Sequence, residues 1–366
     1  VIMQDYARIE KIDVDAFTVP TDFPEADGTI SWNSTTLVLA RVHGGGRSGL
    51  GYTYAQKASA VLISDILAEV VVGRNALDIP AAWLAMVKAL RNVGRPGEGL
   101  MAIAAVDHAL WDLKARLLGV PLVDLWGRAR AATPVYGSGG FTSYPLNKLQ
   151  AQLSGWIEQG IPRVKMKVGS DPESDPVRVR AARESIGPVA TLMVDANGAY
   201  RRDQALTFAA RFAEQDVSWF EEPVSSDDLE GLRFLRDHAP LGMAVAAGEY
   251  GWDVWYFRRM LDAGAVDVLQ IDTTRCGGFT GFLQASALCQ AYGVPVSAHT
   301  APSLHAHVCV AVNDVLHIEY FHDHARIESM LFDGCPKLEH GALCPDPSLP
   351  GLGLALRTAD AERYHA

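Results

Sequence analysis

Val164-Lys165-Met166-Lys167-Val168-Gly169, Met193-Val194-Asp195-Ala196-Asn197-Gly198 and Trp219-Phe220-Glu221-Glu222-Pro223 are the stretches on which the fold turns. Each is a short apolar run that ends in charged residues, and each belongs to a longer series. Similar segments recur at Pro134–Gly140, Pro162–Gly169, Thr191–Asn197, Val217–Pro223, Met243–Tyr250, Val266–Thr273, Val294–Thr300 and Val315–Phe321. Between them lie amphipathic stretches such as Leu146–Gln159, Arg202–Gln215, Leu229–His238, Trp252–Gly264 and Phe279–Tyr292. The repeat of about 21–28 residues is the length of one strand plus a crossover helix, and such crossovers make parallel sheets. Eight β/α units predict a closed α/β barrel with its chemistry at the C-terminal ends of the strands. An open doubly wound sheet would show Gly-x-Gly-x-x-Gly after an early strand, and the chain has none.

Outside this repeat the text is different. Ala7–Val19 and Thr35–Val42 read as strands, and helices are predicted at about 57–72, 80–93 and 99–118, the last stopping at Gly119-Val-Pro121. His43–Gly51 is rich in glycine but lacks the Gly-Lys-Ser/Thr and following helix of a phosphate loop, so a flexible hairpin is expected. The 366 residues suit two domains, and 49% hydrophobic with 20% charged residues is the composition of a packed globular chain. A net charge of −11 without a Lys/Arg block argues against nucleic-acid or anionic-membrane partners. No apolar run reaches the length of a membrane span, and Val1–Lys11 lacks the apolar core of a signal peptide. Five cysteines with no C-x-x-C pair read as reduced thiols of a cytoplasmic enzyme.

The charged strand ends carry the chemistry. Lys165 and Lys167, two residues apart, share one face of a strand, while Val164, Met166 and Val168 share the other. Apolar neighbours on both sides mark a covered strand, and covered lysines are rare unless paired or functional. Asp195, Glu221 and Glu249 end three consecutive segments, so a barrel would gather them at one rim. Carboxylates so close repel, and a divalent cation is the natural neutraliser; an all-oxygen set favours Mg²⁺, or Mn²⁺, over Zn²⁺. Glu221 and Glu222 cannot both face inward as ideal strand neighbours, so Glu221 is assigned to the metal and Glu222 to its support. Asp272 and His299 end the sixth and seventh segments, where the carboxylate can fix the imidazole tautomer. Lys167 and His299 could then flank a substrate, and Glu319 comes from the eighth segment. His305 and His307 point to different sides of a helix, which disfavours metal binding there. His322 and His324, beside Asp323, read as a solvated loop, and Cys276 as a packing residue.

These motifs together resemble the enolase superfamily, specifically its mandelate racemase subgroup. The matching text is Lys165-Met-Lys167, Asp195-Ala-Asn197, Glu221-Glu222-Pro223, Gly248-Glu249, the Asp272…His299 pair and Glu319, with Ala104–Lys114 and Gly119–Gly127. The lysine pair with the Asp/His dyad separates this subgroup from relatives with lysines on both sides. The resemblance implies a modified TIM barrel, (β/α)7β, over residues 128–339. It also implies an N-terminal α+β capping domain at 1–127, completed by a tail at 340–366. It implies Asp195, Glu221 and Glu249 as Mg²⁺ ligands, Lys167 as one acid/base, and His299 with Asp272 as the other. Lys165, Asn197 and Glu319 would meet the substrate. A homo-oligomer, dimer or octamer, is also implied.

The proton α to a carboxylate is very weakly acidic, because its removal places a second negative charge beside the first. A cation and Lys165 would stabilise that charge, and a lysine near both should have a lowered pKa. The expected reaction is dehydration of an acid sugar, aldonate or aldarate, to a 2-keto-3-deoxy acid, in which Lys167 or His299 abstracts the α-proton and His299 is favoured as acid for the departing hydroxyl. The alternative is a racemase, epimerase or cycloisomerase on a hydroxy or anhydro-sugar acid. A catalytically silent scaffold barrel is the reading from another class. A zinc hydrolase would want His-x-His on the first barrel strand, which is absent. Specificity is expected in loops at Thr21–Ser34 and Gly44–Tyr54, with Phe23, Tyr54 and Ser138 as candidates to reach the pocket. Trp219 and Trp252 read as packing residues.

Overall fold

The computed structural model describes residues 7–366; the first six, part of the stretch read as no signal peptide, lie outside the described residues. The chain opens with an antiparallel sheet of β1 (Ile9–Ala26), β2 (Ser31–Gly44) and β3 (Arg47–Tyr54). Both expected loops are therefore largely strand. Pro20, Pro24 and Gly28 break the strand pattern of the first in sequence, but a register shift between Pro20 and Glu25 absorbs the interruption. The second is a hairpin that turns at Gly45-Gly46 and runs on as β3. Against this sheet lie helices at Lys57–Leu62, Ala68–Val71 and Ile79–Ala89 and the 21-residue helix Glu98–Leu118, which ends on left-handed Gly119. Ile9, Val38, Val42, Ile63, Leu67, Met86, Ile103 and Leu110 form the centre of this unit's core.

The repeat folds as read. β4 (Thr133–Gly139), β5 (Arg163–Lys167), β6 (Thr191–Asp195), β7 (Val217–Glu221), β8 (Ala244–Ala247), β9 (Val268–Ile271), β10 (Val296–Ala298) and β11 (Val315–Phe321) lie side by side in chain order. All pair in parallel, and β11 pairs with β4 to close the barrel. Outward residues such as Val164, Met166, Val194 and Phe220 pack beneath the helices. Inward residues Tyr136, Met193, Trp219, Ala246 and Val268 plug the interior below the rim. Among the described residues no helix is long and apolar enough to cross a membrane.

The C-terminal segment touches both units. Its hairpin Lys337–Glu339/Ala342–Cys344 pairs antiparallel with the start of β4. Beyond it, Leu352 N–H donates to Asp112 of the long helix at 2.6 Å, and Ala366 N–H donates to Ala16 O at 3.0 Å. The same helix fixes the loop after β9. Burial lowers the His108 pKa to about 3, so the ring is neutral; Nδ1–H donates to Tyr52 O and Nε2 accepts from the Thr273 hydroxyl. Thr53 donates to Thr274 O at 2.8 Å, and Trp83 donates to Gly277 O at 2.8 Å. These bonds cross from cap to barrel and hold the loop that begins at Asp272.

Candidate active site

Strand alternation gathers the charged groups. Inward positions two residues apart carry Lys165 and Lys167 on β5, Met193 and Asp195 on β6, and Trp219 and Glu221 on β7. Lys167 is in register with Asp195, and Asp195 with Glu221, so the three lie side by side at the rim. Strict alternation would turn Glu249 outward, because it stands three residues beyond inward-facing Ala246. Gly248 changes the phase with φ of +131°, where an added Cβ would sit 2.4 Å from Gln270 O. Glu222 is brought in likewise, by a left-handed φ of +37° just past the end of β7. The obstacle to burying both Glu221 and Glu222 is thus removed by the backbone: both are buried.

Asp195, Glu221 and Glu249 each offer a carboxylate oxygen within 4.8 Å of the others. Glu249 Oε2 and Glu222 Oε1 are buried without a hydrogen-bond partner, although Glu249 Oε2 lies 3.3 Å from His299 Nε2. Buried lone pairs aimed into a cluster of hard oxygen donors fit a divalent cation such as Mg²⁺ or Mn²⁺. Glu221 accepts from Lys165, from Trp219 Nε1 at 2.9 Å and from Gln270 Nε2 at 2.9 Å. Trp219 is therefore more than packing.

Burial opposes charge on Lys165, which is 0% exposed, yet Glu221, Glu319 and Asp195 around it hold its pKa well above the ordinary value. The same contest sets Lys167: burial lowers its pKa, and the carboxylate of Asp195 outweighs this and raises it. Among the protein's own groups the nearest to the amine is the Asp195 carboxylate, whereas the lowering expected from sequence belongs to a lysine beside Mg²⁺ and Lys165. Burial and mutual repulsion push Glu221 and Glu222 upward, whereas Lys167 and Lys165 keep Asp195 low despite its burial.

Across the rim, Asp272 Oδ2 lies 2.7 Å from His299 Nδ1, and the Thr274 N–H and hydroxyl both donate to Asp272 Oδ1 at 2.7 Å. Burial alone would raise the Asp272 pKa, but His299 and Arg275 bring it below the usual carboxylate range. With Nδ1–H committed to Asp272, Nε2 is the ring atom free for proton transfer. Glu319 accepts from Ser138 at 2.5 Å and from Thr300 N–H at 3.2 Å, and ion-pairs with Lys165 at 2.9 Å.

A cavity of about 310 Å³ opens above these groups. Lys167, Asn197, Glu249, Asp272 and His299 line it, while Asp195, Glu221, Glu222, Lys165 and Glu319 form the buried layer beneath. The roof is the capping hairpin, whose tip from Asp27 to Ile30 rests on the barrel. Thr142 N–H donates to Ala26 O, and its hydroxyl donates to Asp27 O, both at 2.8 Å. Tyr54 reaches the cavity; Phe23 does not and instead packs on Tyr144.

Sequence reasoning missed Arg275, which also lines the cavity and lies 3.3 Å from Glu249 Oε1 and 3.6 Å from Asp272 Oδ2. Its place three residues past Asp272 was the available signal. The expected solvated loop at 322–324 is instead the start of the helix His322–Leu331. His324 is buried and stacks on Tyr54 with 3.4 Å between ring centroids, and Asp323 is buried and accepts from Thr35. Contacts from a capping sheet distant in sequence bury what local polarity would leave in water. His322 is half-buried beside Asp22. His305 faces Thr273 and Thr300 rather than a metal site, and Cys276 is buried as expected.

Comparison with known proteins follows this geometry. Residues 11–127 match the mandelate racemase / muconate lactonizing enzyme N-terminal domain, and residues 148–361 match the enolase C-terminal domain-like family. A mandelate racemase/muconate lactonizing enzyme-like protein from Rubrobacter xylanophilus is 57% identical, with a TM-score of 0.96 over 98% of this chain and 100% of that one. The 3,6-anhydro-alpha-L-galactonate cycloisomerase of Streptomyces coelicolor is 31% identical over 95% of this chain and 97% of its own length. The L-talarate dehydratase of Polaromonas, solved with Mg and L-glucarate, is 29% identical, with a TM-score of 0.89 over 98% of this chain and 97% of that one.

Proposed function

We propose, from the premise that this chain belongs to the enolase superfamily and its mandelate racemase/muconate lactonizing enzyme group, that it dehydrates an acid sugar to a 2-keto-3-deoxy acid. The observation that carries this reading is one cavity in which Lys167 and the His299–Asp272 pair stand over three converging carboxylates. Mg²⁺, or Mn²⁺ in its place, held by Asp195, Glu221 and Glu249, would supply Lewis-acid stabilisation of the charge that grows on the substrate carboxylate. Glu222 supports those ligands from below. Lys165, paired with Glu319, adds fixed positive charge beside the enolate, and Asn197 offers its side chain from the cavity wall. With a cation held by the carboxylates, Asp195 would no longer hold the Lys167 proton, so Lys167 Nζ would be free to take the α-proton on one side, and His299 Nε2, oriented by Asp272, would deliver a proton to the departing hydroxyl on the other.

A second reading is supported by the Streptomyces relative: cycloisomerisation, or racemisation, of a hydroxy or anhydro-sugar acid through the same α-proton removal. We place the catalytic barrel at residues 128–339 and the cap at 1–127 with 340–366. The setting is a reducing cytoplasm, consistent with all five cysteines being free, and the assembly a homo-oligomer, dimer or octamer. The test is incubation with Mg²⁺ and a panel of four- to six-carbon aldonates and aldarates, scoring keto-deoxy acids and exchange of the α-proton with solvent. Keto-acid formation supports dehydration, exchange without it supports the second reading, and inertness to the whole panel refutes both.

A further inference from the structure

The two ends of the cavity differ in charge. Among the described residues, the two cationic side chains that line it, Lys167 and Arg275, belong to the barrel side, as do the imidazoles of His299 and His324. Lys167 is paired with Asp195, and Arg275 lies against Glu249 and Asp272 while resting over the Tyr250 ring, 5.1 Å from its centroid. Those charges serve the end where a carboxylate would be activated. The opposite wall, supplied by the capping sheet, presents Asp27, Ile30, Trp32, Ser34, Thr36 and Gln56. Among the described residues, no lysine or arginine lines it.

Asp27 gives that wall a sign. Its Oδ1 accepts from Thr29 N–H at 2.6 Å, from the Thr29 hydroxyl at 3.0 Å and from Ile30 N–H at 2.8 Å. Those three bonds hold the hairpin turn and leave the second oxygen with no donor among the described residues. A sugar hydroxyl can donate to such an oxygen. A second substrate carboxylate has no proton to give, and would meet a like charge in a part-desolvated pocket without a counter-ion. The hydroxyls of Ser34 and Thr36 and the amide of Gln56 are likewise groups that suit a polyol or ring ether.

Resting on the proposed function, we infer that this site takes sugar acids with a single carboxylate, their uncharged polyol or anhydro-ring end held against the capping hairpin, and rejects the matching dicarboxylates. Asp27 is the specificity-determining residue, and its role is independent of whether dehydration or cycloisomerisation follows.

The experiment uses the Mg²⁺-supplemented full chain with aldonate/aldarate pairs of equal stereochemistry, D-gluconate against D-glucarate and L-galactonate against galactarate among them. The readouts are α-proton exchange in D₂O and keto-acid formation. The expected kcat/KM for the monoacid of a reacting pair exceeds that for its diacid by about 100-fold or more. Asp27→Asn keeps a carbonyl for the turn and removes the charge; it should narrow the preference about tenfold, chiefly through the KM of the diacid. Gln56→Arg, which puts a cation on the same wall without touching the turn, should narrow it as well. Wild-type turnover of the diacid equal to or better than the monoacid overturns the inference while leaving the function standing, as does an unchanged ratio in both variants. Inertness toward every acid overturns the function and this inference with it.

Discussion

Gly28→Ala tests the seating of the roof. An added Cβ would stand 2.4 Å from Ala196 O, 2.7 Å from Val168 O and 3.0 Å from the Ala199 Cβ. The two oxygens are backbone atoms at the ends of β6 and β5, so no flexible side chain can yield. Restoring an ordinary carbon–oxygen separation of about 3.3 Å requires the tip to rise, or the rim to recoil, by about 0.9 Å. Lifting stretches the two Thr142 bonds to Ala26 and Asp27, worth about 0.5–1.5 kcal/mol each. Recoil is worse for chemistry, since Ala196 lies between Asp195 and Asn197. A misplacement near 1 Å costs about 100-fold in rate where geometry sets reactivity. The expected outcome is a kcat/KM down about 100-fold with only a few degrees lost in Tm. Gly155→Ala is the control, on the outside of the helix Leu146–Glu158 with nothing within 4 Å. It should leave kinetics unchanged and add about 0.5–1 kcal/mol of stability. Steady-state kinetics and thermal melts of both variants decide; Gly28→Ala kinetics within twofold of wild type would refute the reasoning that tip and rim form one site.

Asp272→Asn should preserve the fold yet lower kcat by about 100- to 10,000-fold, because the His299 tautomer and basicity are no longer fixed; circular dichroism alongside kinetics separates this from unfolding. Removal of divalent ions should abolish activity and lower Tm, and Mg²⁺ at 100 times its Kd should restore about 2.7 kcal/mol; a Tm insensitive to Mg²⁺ counts against the three-carboxylate site. Glu25, buried beneath the roof and bonded by Trp32 Nε1 at 2.8 Å, has its pKa pushed up to about 8 by burial and by the charges of Asp323 and Asp22, against the pull of Trp32 and Arg326. The unfolded chain releases this proton near 4.5, so wild-type stability is complete below that pH and declines as pH rises to about 8, by at most about 1.4 kcal/mol per unit. Glu25→Gln keeps the acceptor for Trp32 and should match wild type at pH 5 but exceed it by about 2 kcal/mol or more at pH 8 in urea denaturation; parallel profiles would exclude a buried neutral Glu25.

What was legible in the sequence is what strand geometry writes with a period of two. Lys165/Lys167, Asp195, Glu221 and Asp272 alternate with apolar partners that pack under the helices, so local text alone placed them inside a barrel. Glu249 was legible only as the end of a segment, since its inward direction depends on the backbone at Gly248. The roof was not legible. Thr35 meets Asp323 across 288 residues and Tyr52 meets Glu328 across 276, and neither pairing leaves a local pattern. The polar run His322-Asp-His324 therefore reads as solvated, although the capping sheet buries two of its three residues.

The surplus of acid has a different meaning inside the protein from its meaning over the whole chain. Asp195, Glu221, Glu222, Glu249, Asp272 and Glu319 are all buried around Lys165, Lys167 and Arg275, twice as many carboxylates as lysine and arginine cations. Such an excess cannot stay fully ionised in a low-dielectric interior, which is why Glu221 and Glu222 are driven toward their neutral forms. A divalent cation would offset two of the three unmatched charges. The positive charge of the site is then concentrated where one substrate carboxylate would meet the cation. A second would have to lie against Asp27 with no cation on that wall. The same excess of acid thus limits, from within, how many carboxylates a substrate can carry.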